Sequence, residues 1–349
     1  MTTTTKVTAF DKNQQKVFDD IIINKYNAVD IIAERLGGEI VAVSNEWFAK
    51  AENLIKPNKP IRDATRFVYQ GAWYDGWETR RHNSNEYDYV IFKIGVSSAS
   101  IIGCEIDTAF FDGNHAPYIS VEALYNTNEG KDAVIEENNP GWEEVIGKME
   151  CGPSQKQFFL RDNGLTLNKY THVKLKMYPD GGIARFRLYG KVILPELNSD
   201  NVNTVTDLCN VCNGAVAIKC SDEHFGTMKN LILPGRGCDM SDGWETKRSR
   251  IPNHVDWSII KLGRKTSYID HIVVDTAHFR GNFPQSIKVY GALQYNGNDD
   301  TNWIELVPQS KTGPDKEHLY QIKKNLAINY IKLVIIPDGG VKRIRVFGY

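Results

Sequence analysis

Short runs of strict apolar and polar alternation recur along the chain. In HVKLKM (172–177), His172, Lys174 and Lys176 alternate with Val173, Leu175 and Met177, a period of two that reads as a half-buried strand. ARFRLYG (184–190) sets Phe186 and Leu188 against Arg185 and Arg187, and RIRVFG (343–348) sets Ile344 and Val346 against Arg343 and Arg345. ISVEAL (119–124) and IKVYGAL (287–293) follow the same rule. Clusters of Gly, Asn, Asp and Pro separate these runs, with no βαβ spacing and no glycine-rich nucleotide loop. The pattern predicts an all-β chain of two tandem jelly-roll-like antiparallel β-sandwiches. Partly helical spacing of Val17, Ile21, Ile22, Val29, Ile32 and Ala33 makes 11–36 the main helical candidate, a short N-terminal segment packed on the first sandwich.

The tandem arrangement rests on an internal repeat. DGWETRR (75–81) returns as DGWETKR (242–248), and PDGGIARFRLYG (179–190) as PDGGVKRIRVFG (337–348). Between them, DYVIFKIG (88–95) answers DWSIIKLG (256–263), IDTAFFDGN (106–114) answers VDTAHFRGN (274–282), and CGPSQ (151–155) answers KTGPD (311–315). This period far exceeds the roughly 20–50 residues of solenoid repeats, so each copy is a globular domain with its own core. The proline and polar run in LPELNSDNVNT (194–204) mark the link, giving domains 1–198 and 199–349.

Charge and cysteine usage narrow the partners. Over 349 residues, 42 Lys and Arg balance 43 Asp and Glu, so no basic field favours nucleic acid. The N-terminus has no apolar stretch of signal-peptide length, and no run approaches the ~18 apolar residues of a membrane span; a soluble cytoplasmic protein is expected. Cys209 and Cys212 form a CxxC pair with Cys220 and Cys238 downstream, but the other copy places Ile32, Arg35, Val43 and Gly71 opposite them. Reduced, mostly buried thiols are therefore expected, and no metal ligands are assigned among them.

Candidate chemistry concentrates in the repeated loops. Asp75 and Gly76 open a tight turn, followed by Trp77, Glu78 and Arg81; Trp244, Glu245 and Arg248 repeat them. An arginine fork suits a substrate carboxylate and a glutamate can move a proton, whereas the structural reading pairs Glu with Arg and uses Trp as filling. Asp107 and Asp275 end apolar strands, as general bases, as orienters of an arginine or as turn formers. Asn114 and Asn282 supply turns or read a substrate carbonyl. His115 and His278 have no histidine in the other copy; either could donate a proton to a poor leaving group, and the structural alternative for each is a surface or packing role. The two same-face arginines of each terminal strand, Arg185 with Arg187 and Arg343 with Arg345, could bracket an anion or be solvated strand charges, the outer one of each pair reading as solvated or ion-paired.

Taken together, GAWYDGWETRRHN (71–83), EIDTAFFDGNHAP (105–117), KMYPDGGIARFRLYG (176–190), PGRGCDMSDGWETKRSR (234–250), VDTAHFRGNFPQ (274–285) and KTGPDKEH (311–318) resemble the allantoicase family over nearly the whole chain. The resemblance implies a repeated galactose-binding-like jelly roll, a homo-oligomer, and hydrolysis of allantoate to ureidoglycolate and urea in purine breakdown. Set against that reaction, Arg81 or Arg248 would hold the carboxylate with Trp77, Trp244, Asn114 and Asn282 around the substrate. Glu78, Glu245, Asp107 and Asp275 would be acid–base candidates, and His115 or His278 the proton donor. No cofactor is called for; a divalent ion held by Asp, Glu and His is the open alternative to the acid–base pair. The rival reading is a non-catalytic carbohydrate-binding module using Trp73, Trp77 and Trp244 as exposed aromatics.

Overall fold

The computed structural model describes residues 6–126, 135–297 and 301–349. The chain divides into two compact units, Met1–Pro195 and Glu196–Tyr349. In the first, one antiparallel sheet runs Val7–Phe10, Lys156–Arg161, Ala99–Asp107, Arg185–Val192, Val29–Asp30. The other runs Glu143–Glu150, Tyr118–Leu124, His172–Tyr178, Asp88–Lys93, Glu39–Val43. The second unit repeats the plan. Its sheets run Thr206–Asp207, Arg343–Gly348, Tyr268–Asp275, Glu317–Asn325 and Val216–Cys220, Asp256–Lys261, Tyr330–Ile336, Ser286–Ala292, Ile304–Lys311.

The alternating runs supply the cores. Val173, Leu175, Met177, Phe186 and Leu188 are buried in the first unit, and Ile344 and Val346 in the second. The polar faces, however, are more enclosed than alternation alone predicts. Lys174 is buried because its Nζ meets Glu122 at 2.7 Å, donates to the Glu137 carbonyl at 2.9 Å and lies 4.7 Å from the centre of the Trp142 ring. The polar side of that strand is thus covered by side chains that satisfy its charge, as a buried ammonium requires.

The N-terminal segment is less helical than its spacing predicts. The Asp11 side chain caps a 3₁₀ turn at Lys12–Gln14, followed by an α-helix at Gln15–Asp20 and a π turn at Ile21–Lys25. Asn27 then takes a φ of 51° and ends the run. Val29–Asp30 is a strand of the first sheet and Glu34–Leu36 a 3₁₀ turn. Ile32 and Ala33 are buried by the sandwich they belong to, not by a continuing helix. Phe18 and Ile22 anchor the true helical part against Ile102 and Phe158. Among the described residues no helix is long and apolar enough to cross a membrane.

Candidate active site

Two repeated blocks distant in sequence form one small ladder in each unit. Trp77–Glu78 pairs antiparallel with Gly182–Ile183, Glu78 facing Gly182; Trp244–Glu245 pairs with Gly340–Val341, Glu245 facing Gly340. The Thr79 amide donates to the Gly181 carbonyl at 3.0 Å, and Thr246 to Gly339 at 3.1 Å. The glycines let a third loop close in. Gly181 and Gly339 have φ of +145° and +129°, and a Cβ there would lie 2.7 Å from the His115 carbonyl oxygen and 2.6 Å from that of Asn282. A Cβ on Gly182 or Gly340 would overlap the ring of Phe111 or Phe279. The GN loop is thereby seated against the glutamate of DGWET.

At that junction Asn114 Nδ2 donates to Glu78 Oε1 at 2.6 Å, and Asn282 Nδ2 to Glu245 Oε1 at 2.5 Å. In the second unit a cavity of about 600 Å³ opens here, lined among others by Glu245, Arg248, Asn282, Phe283 and Asp338. Glu78 is buried, and desolvation raises its carboxyl pKa, partly offset by the Asn114 hydrogen bond and the positive charge of Arg81. Arg81 Nε lies 3.2 Å from Asp180 Oδ1, and the Asn83 amide donates to Asp180 Oδ2 at 3.0 Å. The Ser249 amide makes the equivalent bond to Asp338 at 2.8 Å, while Arg248 makes no ion pair among the described residues. His82, with a φ of 62°, is an extra residue between Arg81 and Asn83 that the second unit lacks.

Other sequence candidates stand elsewhere. Trp77 and Trp244 are fully buried, donating through Nε1 to the carbonyls of Asn45 at 2.7 Å and Asp222 at 2.9 Å. The expectation that they touch substrate is corrected: neither presents a face to solvent, and both are core. The same burial removes two of the three aromatics of the carbohydrate-binding alternative, and Trp73 is stacked 4.3 Å from Arg66. Asp107 accepts the Ala109 amide at 2.9 Å and faces Lys156 at 3.8 Å; burial pushes its carboxyl pKa up. Asp275 accepts the Ala277 amide at 2.9 Å and a two-pronged contact from Arg236 at 2.8 and 2.9 Å.

His278 sits at a left-handed position, φ 67°, with its amide on Asp315 Oδ1 at 2.8 Å and its ring Nε2 3.3 Å from the Gly237 carbonyl. Neither it nor Asp275 lines the cavity. His115 holds the position of cavity-lining Phe283, its Nδ1 3.2 Å from the Asp112 carbonyl. Arg185 and Arg343 are buried on Asp75 and Asp242, each at 2.8 Å, whereas Arg187 and Arg345 pair with Asp30 and Asp207 at 3.6 and 3.3 Å. Among the described residues no three or more His, Cys, Asp or Glu side chains converge as a metal cluster. Cys104, Cys151 and Cys209 are buried, Cys212 and Cys220 half-buried, and Cys238 is exposed.

Sequence reasoning missed Asp180 and Asp338, and with them Thr79 and Thr246. Their signal was present in the recurrence: the aspartates lie inside the doubled PDGG block and the threonines inside the doubled DGWET block.

The allantoicase repeat model matches residues 29–193 and 206–349. Allantoicase of Saccharomyces cerevisiae is 61% identical over 344 residues, covering 97% of this chain and 99% of the relative. Allantoicase of Neurospora crassa is 51% identical over 327 residues, covering 92% and 91%. A crystal structure of the Saccharomyces cerevisiae allantoicase superposes with a TM-score of 0.86 at 59% identity, covering 99% of this chain and 100% of that one. With both repeats, the doubled loops and nearly the full length matched, the chain belongs to the allantoicase family, the enzymes that hydrolyse allantoate in purine catabolism.

Proposed function

We propose that allantoate binds where the DGWET, GN and PDGG loops of a repeat meet. The observation that carries this reading is the asparagine-held glutamate, built twice from loops distant in sequence, with an arginine three residues further on. Arg81 or Arg248 receives the substrate carboxylate through its planar fork. Glu78 or Glu245 serves the reacting carbon: burial favours the protonated form of Glu78, which suits it to give its proton to the departing urea nitrogen. Water adds its oxygen to the carbon as the carbon–nitrogen bond breaks, and the proton it loses passes to a base, leaving ureidoglycolate and urea.

The test is a Glu78→Gln, Glu245→Gln double variant shown to be folded by circular dichroism. Urea release is expected to fall by at least ~100-fold, the usual scale of a lost proton-transfer group. Full urea release would remove the assignment. The chain is further proposed to act as a homo-oligomer in the cytoplasm, on the strength of the family resemblance. Sedimentation analysis and cell fractionation test those two statements, and a monomer or a membrane-bound fraction would refute them.

A further inference from the structure

The two loop junctions, the second of which opens into the cavity and each of which is a substrate pocket in the reading above, share their glutamate, asparagine, arginine and aspartate, yet differ at the residue after the asparagine. In the first unit this is His115; in the second it is Phe283. The His115 Nδ1 lies 3.2 Å from the Asp112 carbonyl, which can only accept, so Nδ1 is the donor there and Nε2 is the ring nitrogen left to meet a substrate or water. At the first junction a buried carboxyl and an imidazole belong to one loop cluster, since Glu78 and His115 both bridge to Gly182. The second has no imidazole at this position. It does have an arginine in a different condition: Arg81 is tied to Asp180 at 3.2 Å, whereas Arg248 makes no ion pair among the described residues.

The loop behind the histidine has diverged as well. Asp112 accepts a hydrogen bond from the Ser154 hydroxyl at 2.5 Å, and at the matching positions Arg280 pairs with Asp315 at 3.2 Å. The contact is kept with its polarity reversed, so the loop stays seated while the ring it presents changes from imidazole to phenyl.

From this inequivalence, and resting on the pocket reading above, we infer that the first pocket carries the hydrolysis and that the second is a non-hydrolytic site for carboxylate-bearing ureides. In the first, Glu78 gives its proton to the ureido nitrogen as the carbon–nitrogen bond breaks. Water forms the new carbon–oxygen bond and loses its proton to His115 Nε2. Return of that proton to Glu78 through solvent resets the site, and the balance is allantoate plus water to ureidoglycolate plus urea. In the second, Arg248 holds a ureide carboxylate and Asn282 and Glu245 face its polar arm, while Phe283 occupies the place of the base.

The test uses the full chain with His115→Phe, which installs the residue the second unit tolerates at this place. Urea release is expected to fall by ~100-fold or more. Equilibrium dialysis with radiolabelled allantoate should still find two molecules bound per chain, and one after adding Arg248→Ala. Retention of half or more of the turnover would overturn the inference, because a pocket lacking the imidazole would then be hydrolytic. A single bound molecule in His115→Phe, or two after Arg248→Ala, would overturn the second site. His115→Asn, which keeps a donor for the Asp112 carbonyl, replaces the phenylalanine variant if that chain does not fold. If the double glutamine variant keeps its activity, the pocket reading itself fails. If the double variant is dead while His115→Phe stays active, only the division between pockets fails.

Discussion

Asn114 and Glu78, thirty-six positions apart in sequence, meet at 2.6 Å through the amide nitrogen of one and the carboxyl oxygen of the other. The bond favours the ionised carboxylate, which burial opposes. Asn114→Ala therefore removes a pKa-lowering contact and leaves the carboxyl less firmly placed. The expected result is a loss of about tenfold or more in kcat/KM, worth about 1.4 kcal/mol of transition-state stabilisation, with the Glu78-dependent limb of the pH profile displaced to higher pH. Steady-state urea release across the acid range measures both. An unchanged limb would mean that Asn114 does not tune Glu78.

The inner arginine of each terminal strand is a structural tie. Arg185 is buried with its guanidinium on Asp75 at 2.8 Å and on the carbonyls of Asn58 and Asp75 at 2.9 and 3.1 Å. Arg185→Ala would leave the poorly exposed Asp75 carboxylate without its charged partner and with only the Ile61 amide at 3.0 Å, at a cost of about 3–5 kcal/mol. Adding Asp75→Asn should recover part of the loss, because the stranded charge is then gone. Urea unfolding of the single and double variants decides this; a double variant no better than Arg185→Ala would show that the carbonyl contacts, not the ion pair, hold the turn.

How far such ties were legible depends on the kind of information each residue carries. Phe186 and Leu188 could be placed in the core from alternation alone, because a strand has two faces and one must be dry. Arg185 lies on the opposite face, where alternation predicts solvent; only the three-dimensional meeting with Asp75 makes it buried. Val29, Ile32 and Ala33 share spacing with a helix, but a left-handed Asn27 and the needs of the sandwich prevail over local periodicity. Glu78 and Asn114 were both identifiable as candidates from recurrence, yet nothing in their spacing told that they bond. Trp77 admitted two readings, a stacking platform and filling, and residue type alone could not choose between them; the choice needs its Nε1 contact with the Asn45 carbonyl, which lies 32 positions away.

The second glycine of PDGG has a packing role that an alanine would expose. Gly182 and Gly340 lie so close to Phe111 and Phe279 that a methyl group would overlap the rings. Gly182→Ala should cost about 1–3 kcal/mol as an overpacked site, and should lower urea release as well, since the same glycine pairs with Glu78 in the small ladder. Chemical unfolding and activity measured on the same preparation test the link. Wild-type stability would show that Phe111 moves aside freely.

The last expectation concerns pH and the Asp30 carboxyl. Burial pushes its pKa up to about 6, with the charge of Arg187, 3.6 Å away, and the Leu188 amide, donating at 3.1 Å, pulling the other way. In the unfolded chain an aspartate titrates near ~3.9. Between those values the folded state binds more protons than the unfolded one, so this group's stabilisation is complete below ~3.9 and lost as pH rises through about 6. The full linkage is on the order of 2–3 kcal/mol. Asn keeps an oxygen to accept the Leu188 amide and has no charge to desolvate. Asp30→Asn should therefore flatten the fall in unfolding free energy across that window and be the more stable chain at neutral pH, less the weakened hold on Arg187. Urea unfolding at a series of pH values measures the slope directly, and an unchanged slope would mean that Asp30 is not the group responsible.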